Sequence, residues 1–221
     1  MRLAVIGASG RIGAGVVEEA LGRGHAVTAV VRDPSTFDRG TPVVRGDVFS
    51  PKDIAAAVAD SDVVVSAIGH AATLDDAGYY ARAACSLVEA LRSTGSGRLL
   101  VVGGFGALLQ ESGAQFADEP RIPEHARPEI AGQRDALTYL RSVSDVRWTY
   151  LCPPPGGIWP GGRGGSYRLG LDRLDGRPAD SRVTLPDFAV AVLDEAEQAA
   201  FPFACLGVAG LTPPSGASSD R

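Results

Sequence analysis

Lysine is nearly missing from this sequence: Lys52 stands alone against twenty arginines. A mechanism that needs a catalytic lysine has one residue to draw on, and arginine's pKa is too high for an ordinary proton relay. Cysteine is also scarce. Cys85, Cys152 and Cys205 are odd in number, far apart and without a C-x-x-C pair, which argues against a disulfide framework or a structural zinc site. His25, His70 and His125 are equally scattered, so no metal is expected. No apolar run approaches the roughly 18 residues of a membrane span. The opening M-R-L-A-V-I-G runs at once into a glycine-rich turn and leaves no room for a signal peptide. Positive charge is not in excess: the net charge is −5 and the pI about 5.2. Nucleic acid and anionic membrane are therefore not expected partners. The expectation is a cytoplasmic protein, monomer or homodimer, that acts on a small-molecule substrate.

What is present is glycine and short apolar runs. The 221 residues are 45% hydrophobic and include 28 glycines, without the periodicity of a low-complexity chain, so the glycines should occupy specific turns. Leu3 to Ile6, Val27 to Val31, Val43 to Arg45, Asp62 to Ile68 and Arg98 to Val102 read as buried strands. Helical patterns separate most of them: Arg11 to Gly24, Pro51 to Val58 and Tyr79 to Ser93. Continuous Val/Leu/Ile runs between helices signal a parallel sheet covered on both faces. A helix near Glu129 to Val143, a strand Trp148 to Cys152, a helix from Pro186 and a last strand Phe203 to Val208 complete the pattern. The fold class is α/β, a doubly wound parallel sheet of Rossmann type. One domain spans residues 1–210, with substrate-side segments at 104–128 and 153–185, and a disordered tail is expected over 211–221.

Gly7-Ala8-Ser9-Gly10-Arg11-Ile12-Gly13 follows the first strand and opens the first helix. A tight turn there aims backbone N–H groups at a pyrophosphate, and the helix N-terminus adds partial positive charge. Gly13 lets helix and strand approach closely. The spacing is G-x-x-G-x-x-G rather than G-x-G-x-x-G. At the end of the second strand an acidic residue would bind a ribose 2′-hydroxyl, whereas an arginine suits a 2′-phosphate. Arg32 holds that position, with Arg11 nearby in the loop. NADP(H) is thus favoured over NAD(H).

The sequence resembles the atypical short-chain dehydrogenase/reductases, in particular the NAD(P)H-binding group of NmrA-like proteins and small flavin or biliverdin reductases. The resemblance rests on G-A-S-G-R-I-G, V-V-R-D-P after the second strand and G-D-V at Gly46 to Val48. It continues in S-A-I-G at Ser66 to Gly69, V-V-G-G at Val101 to Gly104 and W-T-Y-L-C-P-P at Trp148 to Pro154. It implies that Asp47 and Val48 flank an adenine, and that Ala67, Ile68 and Gly69 line the ribose and pyrophosphate. Gly103, Gly104 and Cys152, Pro153, Pro154 and Pro155 would surround a nicotinamide.

Many short-chain dehydrogenases deliver a proton through a serine, a tyrosine and a lysine four residues later. Here Gly103-Gly104-Phe105 carries no hydroxyl, and Pro128 to Leu137 holds neither tyrosine nor lysine; Gln133 or Arg134 falls near the lysine's place. Acceptors that take hydride readily need less enzymatic proton transfer. The expected function is an NADPH-dependent oxidoreductase reducing a flat conjugated, quinone or flavin-like molecule. A non-catalytic NADP(H)-sensing regulator and an isomerase, epimerase or lyase on the same scaffold are the alternatives. For the substrate side, His70 and Tyr167 are candidate proton donors, and Phe105, Tyr80 and Pro155 candidate pocket residues. The segment from Gly104 to Pro128 is long enough to form a lid.

Overall fold

In the computed structural model, residues 1–69, 76, 78–95, 97–120, 122–174 and 181–211 are described. Five short apolar runs form parallel strands: β1 (Arg2–Ile6), β2 (Ala26–Val31), β3 (Val43–Arg45), β4 (Val63–Ser66) and β5 (Arg98–Val102). They alternate with α1 (Arg11–Gly22), α2 (Pro51–Val58) and α3 (Tyr79–Thr94). After α4 (Arg127–Arg141) come β6 (Trp148–Cys152), β7 (Ile158–Trp159), β8 (Tyr167–Leu171) and β9 (Val183–Thr184), then α5 (Leu185–Gln198) and β10 (Ala204–Gly210). The main sheet runs β3-β2-β1-β4-β5-β6-β10-β8, parallel except for β8, which pairs antiparallel to β10; β7 and β9 form a separate two-stranded parallel pair. The order reverses between β1 and β4, the switch point where doubly wound sheets open a crevice beyond the strand ends.

Alternation along the strands builds two cores. Ala4 and Ile6 of β1 face Ile54, Val58, Leu87 and Leu137, under α2, α3 and α4. Leu3 and Val5 face Val16, Val17, Phe188 and Val192, under α1 and α5. Both faces are therefore apolar, which is why these strands read as continuous hydrophobic runs.

Helix starts follow local chemistry. The Ser50 hydroxyl accepts from the Asp53 N–H at 3.3 Å with Pro51 at the first turn, and the Thr184 hydroxyl accepts from the Asp187 N–H at 3.2 Å with Pro186 beside it. These side-chain caps satisfy donors that the helix itself cannot. α1 differs: Gly10 precedes it and no side chain caps it.

The segment expected to close over the site is a packed bracket instead. Leu108, Phe116 and Ile122 are buried, Phe105 meets Phe116 edge-on at 6.3 Å between centroids, and the Leu109 N–H donates to the Asp172 carbonyl at 2.8 Å. Burial of three large apolar side chains holds this segment against α4 and the sheet. The expected tail lies outside the described residues except for Leu211.

Candidate functional site

A cavity of about 600 Å3 opens at the carboxyl ends of β1, β2, β4 and β5. Its floor is the glycine loop, where Gly7, Ser9, Gly10, Arg11 and Ile12 all line the wall. Gly7 has φ +79°, and a Cβ there would stand 2.7 Å from the Ala67 carbonyl oxygen. A Cβ on Gly13 would overlap the Gly7 carbonyl. Gly13 does not line the cavity; it lets the first turn of α1 rest directly on the loop. The uncapped α1 N-terminus, with no acidic residue in its first turn, directs unshared N–H groups and a partial positive charge toward this floor. Backbone this close leaves room only for glycine and makes a cradle for phosphate. The residues present thus fit the pyrophosphate of a dinucleotide.

The lateral walls come from strand ends. Arg32 and Val48 line one side, and Ala67, Ile68, Gly69 and Gly103 line the crossing toward β5. Arg11 is steered by its own contact: its guanidinium donates to the Ile158 carbonyl at 3.1 Å, tying the loop to β7. Asp33 does not compete for a ribose. Its carboxylate accepts from the Ser35 N–H at 3.0 Å and hydroxyl at 2.8 Å, capping the turn that follows. These hydrogen bonds hold the Asp33 carboxyl below its usual range. Asp47 is exposed and accepts from the Phe49 N–H at 3.0 Å; its neighbours Gly46 and Val48 line the cavity and it does not. Tyr79 also reaches the wall, its ring edge-on to Phe49 at 5.1 Å, while the Arg82 guanidinium lies 5.2 Å from the Phe49 centroid.

The end nearest β5 carries a polar cluster. Tyr80, Glu129 and Gln133 line it. The buried Tyr80 hydroxyl donates to the Glu129 carboxylate at 3.1 Å, and the Gln133 amide approaches the same oxygen at 3.5 Å. Burial pushes the Tyr80 phenol up, and the Glu129 carboxylate pushes it further, so this tyrosine keeps its proton at neutral pH. Glu129 was not foreseen. The only signal was its i, i+4 spacing from Gln133, which puts both on one face of α4.

Several expected residues stand elsewhere. The Tyr167 hydroxyl donates to Asp194 at 2.6 Å, and the ring packs on the α1/α5 face, away from the cavity lining. Cys152, the last residue of β6, points into the opposite core, its Sγ 3.7 Å from that of Cys205. Pro153, Pro154 and Pro155 do not line the cavity either; the Pro154 carbonyl accepts from the Gly157 N–H at 2.8 Å in a turn. Gly104 is buried beneath Gln133, and Phe105 packs on Phe116. The region assigned from sequence to Cys152–Pro155 is thus walled by α3 and α4. His70 lies outside the described residues.

Gly103 and Gly104 follow β5, Gln133 stands on α4, and Lys52 belongs to α2. Tyr150 lies wholly inside the sheet, with its hydroxyl donating to the Gln133 backbone carbonyl at 2.9 Å. Among the described residues no cluster of His, Cys, Asp and Glu could hold a metal, and no helix is long and apolar enough to cross a membrane.

Comparison with known proteins agrees with this geometry. The chain is 34% identical over 201 residues to the uncharacterized protein YwnB of Bacillus subtilis, covering 89% of this chain and 92% of that one. A crystal structure from Burkholderia pseudomallei, designated a candidate exported protein, is 36% identical, with a TM-score of 0.85 over 95% of this chain and 99% of the other. A candidate NADH-flavin reductase from Streptococcus pneumoniae is 29% identical, with a TM-score of 0.80 over the same shares. The NAD(P)H-binding family profile matches residues 7–196. With a Rossmann-type sheet and a family match that covers most of it from the glycine loop onward, the chain belongs to the NAD(P)H-binding family.

Proposed function

We propose that this protein is an NADPH-dependent reductase of the atypical short-chain type, passing hydride to a flat conjugated, quinone or flavin-like molecule. The observation that carries the reading is the cavity of about 600 Å3 floored by the glycine loop; in the sequence, Gly103-Gly104-Phe105 has no hydroxyl and Pro128 to Leu137 has neither tyrosine nor lysine. A bound NADPH would supply the hydride, which is the cofactor's own chemistry. The chain's part is to hold and orient. The glycine loop fixes the pyrophosphate end, and Tyr80, Glu129 and Gln133 bound the other end of the same cavity. Holding two reactants in contact can contribute about 7–11 kcal/mol of the barrier. Quinones and flavins accept hydride without a proton placed in advance, so they need no proton relay from the protein. The Streptococcus relative's designation as a flavin reductase points the same way.

The preference for NADPH over NADH rests on Arg32. It lines the cavity where the 2′-phosphate would lie, while the neighbouring carboxylate is engaged in its own turn. Three free cysteines and a reduced nicotinamide suit a reducing compartment, and the cytoplasm is the proposed location. The test is steady-state oxidation of NADPH and of NADH with a panel of flavins and quinones. The reading expects turnover with at least one acceptor and a kcat/KM at least tenfold higher for NADPH. NADPH left unconsumed across the panel contradicts it.

A further inference from the structure

Tyr79 is held by its ring and free at its oxygen. It opens α3 and lines the cavity together with Arg32, Gly46 and Val48. Its half-buried ring meets Phe49 edge-on at 5.1 Å and Tyr80 edge-on at 5.2 Å. Phe49 follows directly on Val48, so this ring stands at the end of the cavity built after β3. Among the described residues no hydrogen bond engages the Tyr79 hydroxyl, whereas Tyr80 spends its O–H on Glu129. Burial raises the Tyr79 phenol, Arg32 opposes that rise, and Asp47 and Asp76 add to it. A protonated phenol therefore sits within electrostatic reach of the Arg32 guanidinium. The two carboxylates have work of their own: Asp76 accepts from Arg82 and from the Gly78 N–H at 3.1 Å, and Asp47 from the Phe49 N–H at 3.0 Å. The first turn of α3 carries no acidic residue to repel an anion.

From this placement we infer that Tyr79 is a second specificity-determining residue for the cofactor: its O–H donates to the 2′-phosphate that Arg32 attracts, so phenol and guanidinium hold one group between them. This rests on the reading of the cavity as an NADPH site and adds to it the residue that orients the phosphate. Arg32 is exposed, and an exposed charge on a long side chain selects weakly because water screens it and its freedom must be lost. A tyrosine fixed by two aromatic neighbours supplies the same phosphate with a donor already in place. A hydrogen bond to an ionised acceptor is about twice as strong as one to a neutral group. The phenol thus favours a 2′-phosphate over a 2′-hydroxyl without adding charge to the wall.

Calorimetry with NADP⁺ and NAD⁺ on the full chain tests this in the wild type, Tyr79→Phe and Tyr79→Leu. The wild type should bind NADP⁺ at least tenfold more tightly than NAD⁺. Tyr79→Phe keeps the ring between Phe49 and Tyr80 and removes the donor; NADP⁺ affinity should fall at least fivefold, with NAD⁺ affinity changed less than twofold. Tyr79→Leu should lose at least as much NADP⁺ affinity. Phosphorus NMR gives a reading that packing alone would not move: the bound 2′-phosphate should titrate below that of free NADP⁺, and shift back toward it in Tyr79→Phe. NADP⁺ affinity within twofold of wild type in Tyr79→Phe, or an equal loss of both dinucleotides in either variant, overturns the assignment of Tyr79 and leaves Arg32 untouched. A wild type that binds both dinucleotides equally overturns the phosphate site and Tyr79 with it. The reductase reading falls only if NADPH is not oxidised by any acceptor, whatever the binding ratios.

Discussion

At the scale of single residues, the cavity's chemistry depends on a few side chains and on two places where no side chain fits. Arg32 lines the wall and Asp33 turns away to cap the next turn. Replacing Arg32 with serine removes a charge-assisted contact worth about 1.5–3 kcal/mol. NADPH affinity measured by calorimetry should fall ten- to hundredfold, with NADH affinity changed less than threefold. Gly13→Ala places a methyl group on the Gly7 carbonyl. It should abolish measurable binding of either dinucleotide, with a clear drop in the thermal midpoint, because α1 cannot sit on the loop without Gly13. Tyr80→Phe leaves the ring in its core and removes the donor to Glu129. A loss of about 1 kcal/mol in stability is expected in urea melts.

At the scale of elements, much of the fold was legible. Val43 to Arg45, Pro51 to Val58, Arg98 to Val102 and Trp148 to Cys152 were read with their observed bounds. Each is a short apolar run or a Ser-Pro helix start, signals that act locally. The glycine loop was legible for the same reason: its spacing and its place between strand and helix encode the cradle. The β5 end was not. Which wall closes that end depends on how α3 and α4 pack, and one residue of rotation on either helix would exchange Tyr80 or Glu129 for a neighbour. Tyr167 was misread because a sequence position near a glycine-rich segment says nothing about the face of the sheet on which the ring lands. It lands beside Asp194 of α5.

The same scale explains how α5 is fastened. Arg98 of β5 and Glu195 of α5 are almost wholly buried and paired at 3.2 Å, and Arg98 also donates to the Glu195 and Ala196 backbone carbonyls. The Thr149 hydroxyl donates to the same carboxylate at 3.1 Å. Removing one partner of such a pair leaves a buried charge and costs about 3–5 kcal/mol. Glu195→Ala should lower unfolding free energy by that amount in urea melts, while Asp118→Ala, in an exposed pair with Arg134, should cost under about 1 kcal/mol.

For the whole molecule, all five tyrosines share one property. Tyr79, Tyr80, Tyr139, Tyr150 and Tyr167 have phenols raised above the ordinary value, with burial the largest cause in each. A group raised in the folded state contributes stability that is fully present below its unfolded pKa, about 10 for tyrosine. That contribution is lost as pH rises through the folded value. Ultraviolet titration should show little phenolate at pH 10, followed by release of several tyrosines together as the fold opens. Noncooperative titration of most tyrosines near pH 10 would contradict the packing described.

The proposed reaction is hydride transfer from NADPH to a flavin-like acceptor. It is tested most directly by mixing the protein, loaded with one equivalent of NADPH, with lumiflavin under anaerobic conditions and following nicotinamide and flavin absorbance together. The account predicts that both bands bleach in a single phase, at least a hundredfold faster than the same mixture without protein. NADPH that stays reduced on the protein, or bleaches no faster than in buffer, contradicts it.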